Sequence, residues 1–160
     1  MTKTLSSTIT FEKITGAKEQ IVVLYDLLDK RKHNISHQSI PSFEDHAEFT
    51  KNHPYRAWYL VKSDDLYIGS IYVAKNNSIG ISVISNEKQT LAVALNFIFN
   101  KYKPLKEIKS LRPPDFYINV PASNKRLAGF LEKFGAIKIQ TSYTLSPFSQ
   151  KSNKEPICFT

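Results

Sequence analysis

The sequence predicts an α/β protein whose central mixed β-sheet of about seven strands carries helices on both faces. Three strand-like segments with short turns follow one another in the middle of the chain, and helical and strand-like segments alternate after them. A run of strands followed by alternating elements is typical of a mixed sheet with helices packed on it. The 160 residues are the length of one ordinary domain, so we expect a single hydrophobic core.

Each element is predicted from the spacing of its apolar side chains. Apolar residues that recur every second position indicate strands, and those that recur every third or fourth position indicate helices. In chain order, the predicted elements are a strand at residues 7–14, helices at 17–31 and 43–51, strands at 56–62, 66–74 and 79–84, a helix at 87–102, a strand at 116–120, a helix from 123 or 124 to 134, and strands at 137–140 and 142–145.

Cap and turn residues separate these elements. Ser42, with Asp45 three residues later, is the pattern of a helix N-cap. Residues 64–65 and 76–77 predict hairpin turns, because asparagine and aspartate tolerate positive φ. Gly135 directly follows a helical segment and is expected to end that helix in the left-handed conformation.

The chain is basic, with a formal net charge of +8 and a pI of about 9.5. Such a charge attracts anions, including nucleic acid and phosphate-rich cofactors. Most of the lysines are scattered, however, and Lys30-Arg31-Lys32 is the only contiguous basic run. A nucleic-acid-binding protein more often concentrates its basic residues on one element, so the sequence argues against nucleic acid as the partner.

Domain organisation and compartment follow from a few simple absences in the sequence. We expect one domain over residues 1–146 and an irregular tail over residues 147–160. No apolar run is long enough to predict a membrane span, and the N-terminus has no apolar stretch typical of a signal peptide. Cys158 is the only cysteine, and no Cys/His spacing suggests zinc. We therefore expect a cytoplasmic protein without a metal or a membrane partner.

Three segments resemble the GNAT family of N-acetyltransferases. Residues 124–136, which follow the predicted strand at 117–120, combine an asparagine, apolar residues at helical spacing, a glutamate-lysine pair and a glycine. Residues 67–72 and 79–83, each with a glycine, are similar to the family's third strand and the strand after it. The resemblance spans residues 9–145. It implies a GNAT-like fold and an acyltransferase that uses acetyl-CoA as its co-substrate.

Three positions depart from the family's pattern. The acyl-CoA loop of the family usually has a Gln/Arg-x-x-Gly-x-Gly/Ala sequence, whereas residues 85–92 contain no glycine. Glycine allows backbone amides to approach the pyrophosphate closely, so this contact is weakened here. Leu131 stands where many members carry a tyrosine that protonates the departing thiolate. Ala136 replaces an aromatic residue that contributes to packing.

The resemblance places the cofactor after Gly80. The strand backbones at Val83 and Asn119 would hold the pantetheine arm, and Lys88 would supply a charge for the pyrophosphate. The predicted cofactor-binding residues are Val83, Ser85, Asn86, Lys88, Gln89, Thr90, Asn119 and Asn124. Ordinary strand pairing for Val83, a polar strand end for Asn119 and a helix N-cap for Asn124 are structural alternatives.

The resemblance places the acceptor side at residues 33–58, and all four histidines lie in this stretch. A histidine can accept a proton near neutral pH, and His46 is preferred because acidic residues flank it and raise its basicity. Each histidine is also typical of a polar surface segment. The predicted catalytic residues are His46, His37 and Tyr143, where Tyr143 would replace the missing tyrosine; the predicted substrate-binding residues are His33, Tyr55 and Arg56.

These observations favour an acetyl-CoA-dependent N-acetyltransferase that acts on a small amine, with a nucleotide-linked amino sugar as one candidate acceptor. The missing glycines and Leu131 leave open a non-catalytic member of the fold that binds acyl-CoA or a partner protein. A protein N-terminal or ribosomal-protein acetyltransferase is a further alternative, and a homodimer is compatible with the sequence.

Overall fold

The computed structural model describes residues 7–32, 39–84 and 87–145. Within them the elements are β1 (Ile9–Lys13), α1 (Lys18–Asp29), α2 (Phe43–Lys51), β2 (Ala57–Ser63), β3 (Leu66–Val73), β4 (Ile79–Val83), α3 (Lys88–Lys101) and α4 (Lys125–Phe134). Each of these eight elements was predicted at its place in the chain, so the α/β class is confirmed.

The sheet is antiparallel throughout, in the order β1-β2-β3-β4. The turn before β3 has Asp64 at φ 51°, and the turn before β4 has Asn77 at φ 70°. Both are residue types that adopt the left-handed region at low cost, which confirms the two predicted hairpin turns. Each strand is therefore next to its neighbour in sequence.

One face of the sheet packs against α3 and α4 and forms the larger core. Alternate residues of β2, β3 and β4 point to this face because the side-chain period of a strand is two. The buried apolar residues of this core are Ala57, Tyr59, Val61, Ile71, Val73, Ile79, Val83, Leu91, Ala94, Leu95, Ile98, Leu127, Phe130 and Leu131.

The opposite face packs against α1 and forms a smaller core. Ile14, Leu24, Trp58 and Leu60 are buried together there, with Tyr72 partly buried against them. Because α1 covers mainly the β1–β3 side of this face, the part of the face near β4 is left for the cleft described below.

The helix ends follow the local sequence. The Ser42 Oγ accepts the backbone N–H of Asp45 at 3.1 Å, and the Asn124 Oδ1 accepts that of Leu127 at 3.1 Å. Gly135 has φ 103° at the end of α4, and the N–H groups there donate to the last carbonyls of the helix. These contacts confirm the predicted caps.

Two parts of the sheet prediction were wrong, because the described residues form four strands and not about seven, and the sheet that they form is antiparallel and not mixed. The segment at 116–120 makes only an isolated parallel bridge, between Ser78 and Tyr117. The segments at 137–140 and 142–145 pair with no strand in the described part of the chain, and Ile137 and Leu145 are 84% and 90% exposed.

The reason is that a strand needs an edge to pair with, and alternation shows only that a segment would suit one. The chain that leads into residues 116–120 is held by the buried side chain of Asn77. The Asn77 amide donates to the carbonyls of Leu105 and Pro113 at 2.8 Å and its oxygen accepts from the Leu105 N–H at 2.7 Å. These bonds fix where the segment reaches the sheet, and it diverges after Tyr117.

Candidate active site

A cleft of about 1160 Å³ lies over the α1 face of the sheet, beside β4. Two cross-strand rows form its floor, because Trp58 pairs with Tyr72 and Tyr72 with Gly80, while Leu60 pairs with Ser70 and Ser70 with Ser82. Side chains in these rows become smaller from β2 to β4. The small residues therefore leave space that large ones would fill.

Gly80 is required by the Tyr72 ring. A Cβ at Gly80 would overlap ring atoms of Tyr72, so the ring lies directly over the glycine. An aromatic side chain that covers a cross-strand glycine also shields the strand backbone from water. This contact fixes the ring of Tyr72 against β4, within the cleft.

Tyr72 belongs to an aromatic cluster, which we define as Phe49, Tyr55, Trp58 and Tyr72. The Tyr55 and Tyr72 rings are stacked, with centroids 3.9 Å apart and planes at 9°. Trp58 meets Tyr55 edge-on at 5.3 Å, and Phe49 meets Trp58 at 6.1 Å. All four residues line the cleft, so one of its walls is aromatic.

Burial raises the pKa of Tyr55 to about 12, with a further contribution from Tyr72 and an opposing one from Arg31. The phenol therefore remains neutral at physiological pH and can donate a hydrogen bond. Arg31 follows α1 and lines the cleft beside these rings. Burial of its guanidinium among the cleft side chains lowers the pKa of Arg31, although the residue as a whole is exposed.

His46 also lines the cleft and is 7% exposed. Burial lowers the pKa of His46 below its usual 6.5, a backbone hydrogen bond to Ile21 opposes the shift, and Arg31 adds to it. The Nε2 atom lies 3.5 Å from the Thr50 Oγ1, and the ring packs on Tyr25 with centroids 5.3 Å apart. The imidazole is therefore neutral at pH 7 and is held between α2 and α1.

On the opposite wall, β4 presents an open backbone edge. The N–H of Ile84 donates to Ile68, and alternation then directs the polar groups of Ile79, Ile81 and Val83 away from β3. Ile79 uses its N–H on the Tyr117 carbonyl at 2.8 Å. Beyond this bond, no strand in the described part of the chain pairs with the edge of β4 that points away from β3, so the backbone at Ile81 and Val83 faces the cleft region without a ladder partner.

Both Asn119 and Asn124 line the cleft on this wall. Asn119 is exposed and lies where the chain diverges from β4, while Asn124 is 7% exposed and caps α4. The residue that caps α4 therefore also lines the cleft, so Asn124 can serve both as the helix N-cap and as the predicted contact to the cofactor.

The start of α3 lies next to the same wall. Its first amides have no partner within the helix, and Glu87 at the N-cap makes no side-chain cap. Glu87 lines the cleft, whereas Lys88 and Gln89 are exposed and Thr90 is buried on the first turn. A carboxylate at this position opposes the approach of a phosphate, while the free amides and Lys88 favour it.

The structure brings five of the predicted site residues together around the cleft: Val83, Asn119, Asn124, His46 and Tyr55. Four predicted residues, His33, His37, Ser85 and Asn86, lie outside the described residues. The others do not line the cleft. The Arg56 guanidinium donates to the Lys103 carbonyl at 2.7 Å and lies over the Tyr102 ring, and Tyr143 is 84% exposed on the C-terminal segment.

Sequence reasoning missed three cleft residues: Arg31, Tyr72 and Gly80. Arg31 was assigned to a basic run, and only the packing of α1 on the sheet shows that its side chain reaches Tyr55 and Tyr72. The pairing of Tyr72 with Gly80 did not follow from the predicted hairpin, because a two-residue turn at 76–77 would set Tyr72 opposite Ile81, whereas the observed loop is one residue longer.

Among the described residues, no group of three or more His, Cys, Asp or Glu side chains is arranged to hold a metal ion. None of the helices in that part of the chain combines the length and the apolar character needed to cross a lipid bilayer.

Several solved structures with a similar architecture are N-acetyltransferases. The chain is similar to the N-acetyltransferase PseH of Campylobacter jejuni, with 16% identity, coverage of 83% of this chain and 91% of that one, and a TM-score of 0.54. It is similar to a spermidine N-acetyltransferase of Vibrio cholerae, with 15% identity, coverage of 82% and 81%, and a TM-score of 0.55. The aminoglycoside N-acetyltransferase AAC(6')-Iy in complex with CoA shares 12% identity over 91% of this chain and 98% of that one, with a TM-score of 0.56.

The fold is that of the GNAT N-acetyltransferases. This confirms the fold that the three sequence segments predicted. No protein-family model and no curated protein matches the chain.

Proposed function

We propose that the protein is an acetyl-CoA-dependent N-acetyltransferase that acts on a small amine. The observation that carries the proposal is that residues 118–120 form no ladder with β4 after the bridge at Tyr117, which leaves the backbone edge at Ile81 and Val83 open beside a large cleft. Acceptors of the similar proteins, spermidine and aminoglycosides, are amines, which supports the reaction class.

The open edge fits the pantetheine arm of acetyl-CoA. The arm is an extended chain with amide groups, and an unpaired strand edge offers alternating N–H and C=O groups at matching spacing. Asn119 and Asn124 add side-chain amides at the same wall. The free amides at the start of α3, together with Lys88, are positioned for the pyrophosphate by the strand-to-helix order.

The acceptor amine enters from the wall that carries His46 and the aromatic cluster. Its nitrogen forms a bond to the thioester carbonyl carbon, the carbon–sulfur bond breaks, and CoA leaves as a thiolate. The ammonium loses two protons overall, of which one goes to solvent and one ends on the thiolate. Neutral His46 is our candidate to take a proton, with His37 as the second candidate.

Protonation of the thiolate has no assigned protein donor. Leu131 is buried in the larger core and carries no acidic proton. Tyr143 was the predicted substitute, but its exposed position outside the cleft does not support this role. We propose that water supplies this proton, since a thiolate is a far weaker base than an alkoxide.

A non-catalytic acyl-CoA-binding protein is the second candidate. The glycine-free loop region and the carboxylate of Glu87 at the cleft favour it, because both weaken the phosphate contacts of a typical enzyme of this fold. Such a protein would bind acetyl-CoA without transferring the acetyl group.

Release of free CoA thiol in the presence of a panel of amines separates the two candidates. We expect amine-dependent thiol release, with one acetylated amine formed for each thiol. Acetyl-CoA binding without thiol release for any amine would instead support the binding protein. A panel of polyamines, amino sugars, amino acids and peptides with free N-termini also covers the alternative of protein acetylation.

A further inference from the structure

Arg31 is placed to meet the acceptor and not merely to complete α1. It follows the C-cap residue Lys30, and a cation at this end of the helix is stabilised by the negative end of the helix dipole. That role needs only a charge near the helix end. The guanidinium also interacts electrostatically with Tyr55 and Tyr72, and it contributes to the titration of His46. These three residues belong to the aromatic and basic wall of the cleft.

Within the described residues, no carboxylate pairs with Arg31. The only ion pair there joins Lys30 and Asp26 at 2.7 Å. Two carboxylates, Asp45 and Glu87, line the cleft, and neither lies within ion-pair distance of the guanidinium. The guanidinium borders the cleft without a carboxylate partner, so an anion that enters the cleft can form charge-assisted hydrogen bonds with it.

The neighbours of Arg31 narrow the chemistry of that anion. A guanidinium presents parallel N–H donors that match two oxygens of a carboxylate or phosphate. The neutral phenol of Tyr55 adds a donor that carries no negative charge of its own. The rings of Tyr55, Tyr72 and Trp58 line the cleft and offer apolar surface to the carbon skeleton of a small molecule.

We propose that Arg31 forms an anion subsite in the acceptor half of the cleft, and that the acceptor is a small amine which also carries a carboxylate or phosphate group. This inference rests on the proposed N-acetyltransferase function and specifies its substrate class. Arg31 holds the anionic end, and the amine end reaches toward His46 and β4.

Equilibrium binding of paired ligands tests the subsite without requiring turnover. One pair is glucosamine 6-phosphate against glucosamine, and the other is 4-aminobutanoate against butylamine. We expect at least one anionic member to bind at least tenfold more tightly than its neutral partner, as for a hydrogen-bonded charge. The pair that shows the larger ratio identifies phosphate or carboxylate as the natural group.

Two variants then assign the effect to Arg31. Arg31→Gln is expected to abolish the preference for the anionic member while leaving the neutral member unchanged. Lys30→Gln is the matched control, because Lys30 is a neighbouring cation already paired with Asp26, and it is expected to keep most of the preference. Melting temperatures of both variants check that they remain folded.

Equal binding of both members of each pair, or a preference that survives Arg31→Gln, would overturn the subsite. A loss of acetyl-CoA affinity in Arg31→Gln with no change for the paired ligands would also overturn it, by assigning Arg31 to the cofactor phosphates. Failure of the proposed function looks different, because no amine would then release the thiol of acetyl-CoA, whatever the result for the paired ligands.

Discussion

The two walls of the cleft are built in different ways. The wall formed by α1, α2 and the aromatic cluster consists of side chains, including Arg31, His46 and the stacked tyrosines. The wall formed by β4 and residues 118–121 consists largely of backbone, with an open strand edge and two asparagines. Side chains recognise a particular ligand, whereas a strand edge recognises any chain with suitably spaced amides.

This difference teaches where substitutions should act. On the side-chain wall, single substitutions should change acceptor choice and turnover while the affinity for acetyl-CoA stays the same. On the backbone wall, a substitution should change acetyl-CoA affinity only when it moves the strand or removes an asparagine. The substitutions considered next test this contrast through acetyl-CoA affinity, turnover and stability.

The largest effect is expected from Gly69→Ala, which would move the backbone wall itself. A Cβ at Gly69 would overlap the Ser82 carbonyl oxygen and lie 2.8 Å from the Val83 Cα, so β4 must shift. We expect a loss of about 3 kcal/mol in the free energy of unfolding, together with a loss of acetyl-CoA affinity. Urea denaturation and calorimetric titration measure the two.

Gly129→Ala is the control for that experiment, because a Cβ at Gly129 meets nothing within 4 Å. It lies inside α4, where alanine favours the helix by up to about 1 kcal/mol relative to glycine. We expect unchanged or higher stability and normal acetyl-CoA binding. A Gly69→Ala protein as stable as Gly129→Ala would show that β4 tolerates the shift.

On the side-chain wall, His46→Ala is expected to lower kcat about a hundredfold with little change in acetyl-CoA affinity, because a base acts on the amine. His46→Gln distinguishes this role from packing between α2 and α1. Glutamine keeps hydrogen-bonding groups but accepts no proton near neutral pH. If His46→Gln retains full turnover, the imidazole serves packing, and His37 becomes the candidate base.

The same histidine predicts a pH dependence. Its folded-state pKa lies below the usual 6.5, so the unfolded chain binds the proton first as pH falls. The stability it contributes is therefore fully present above pH 6.5 and is lost as pH falls through 6.5 toward the lower folded value. Burial also lowers the pKa of His53, so this residue contributes to stability with the same pH dependence.

If His46 is the general base, kcat/KM should begin to fall only below pH 6.5, because the imidazole takes up a proton there and can no longer accept one from the amine. Unfolding curves for the parent chain and for His46→Gln and His53→Gln, recorded between pH 5 and 8, separate the two contributions to stability. A stability profile that is the same in His46→Gln as in the parent chain would remove His46 from this account.

Asn124→Ala should cost about 1 kcal/mol of stability, because the N-cap of α4 is lost. Asn124→Ser keeps an oxygen for the cap while it removes the amide group. If the amide also contacts acetyl-CoA, Asn124→Ser is expected to restore stability but not affinity. Restoration of both would leave Asn124 as a cap alone.

The smallest effect is expected from Lys88→Ala. Lys88 is exposed at the first turn of α3, so solvent screens its charge. We expect acetyl-CoA affinity to fall by roughly 1 kcal/mol, about fivefold, and the loss to shrink at high salt. Dephospho-CoA should lose as much on this substitution as CoA does, because the proposed contact is to the pyrophosphate.

Much of the fold could be predicted because local signals determine it. Ser42, Asn77 and Gly135 mark ends and turns through their own backbone and capping chemistry, and the structure uses each as expected. The segment at 137–145 has the alternation of strands but pairs with no strand in the described part of the chain. Strand pairing depends on residues that are distant in sequence, so the alternation within this segment could not show that the segment would remain unpaired.

The site divides in the same way. Asn124 and Val83 follow from the order of elements, because each lies at a helix start or a strand end that the sequence marks. Arg31 and Arg56 do not, since both are arginines in basic or aromatic surroundings, yet one reaches the cleft and the other bonds to the Lys103 carbonyl. Only the packing of α1 and of the segment after α3 decides between them.

Calorimetric titration of the unmodified protein with acetyl-CoA tests the central claim most directly, because the backbone wall is proposed to hold the pantetheine arm. We expect saturable binding of one acetyl-CoA per chain, with comparable affinity for CoA and much weaker binding of adenosine 3',5'-bisphosphate, which lacks the arm. Absence of binding at millimolar acetyl-CoA, or equal binding of the bisphosphate, would contradict the account.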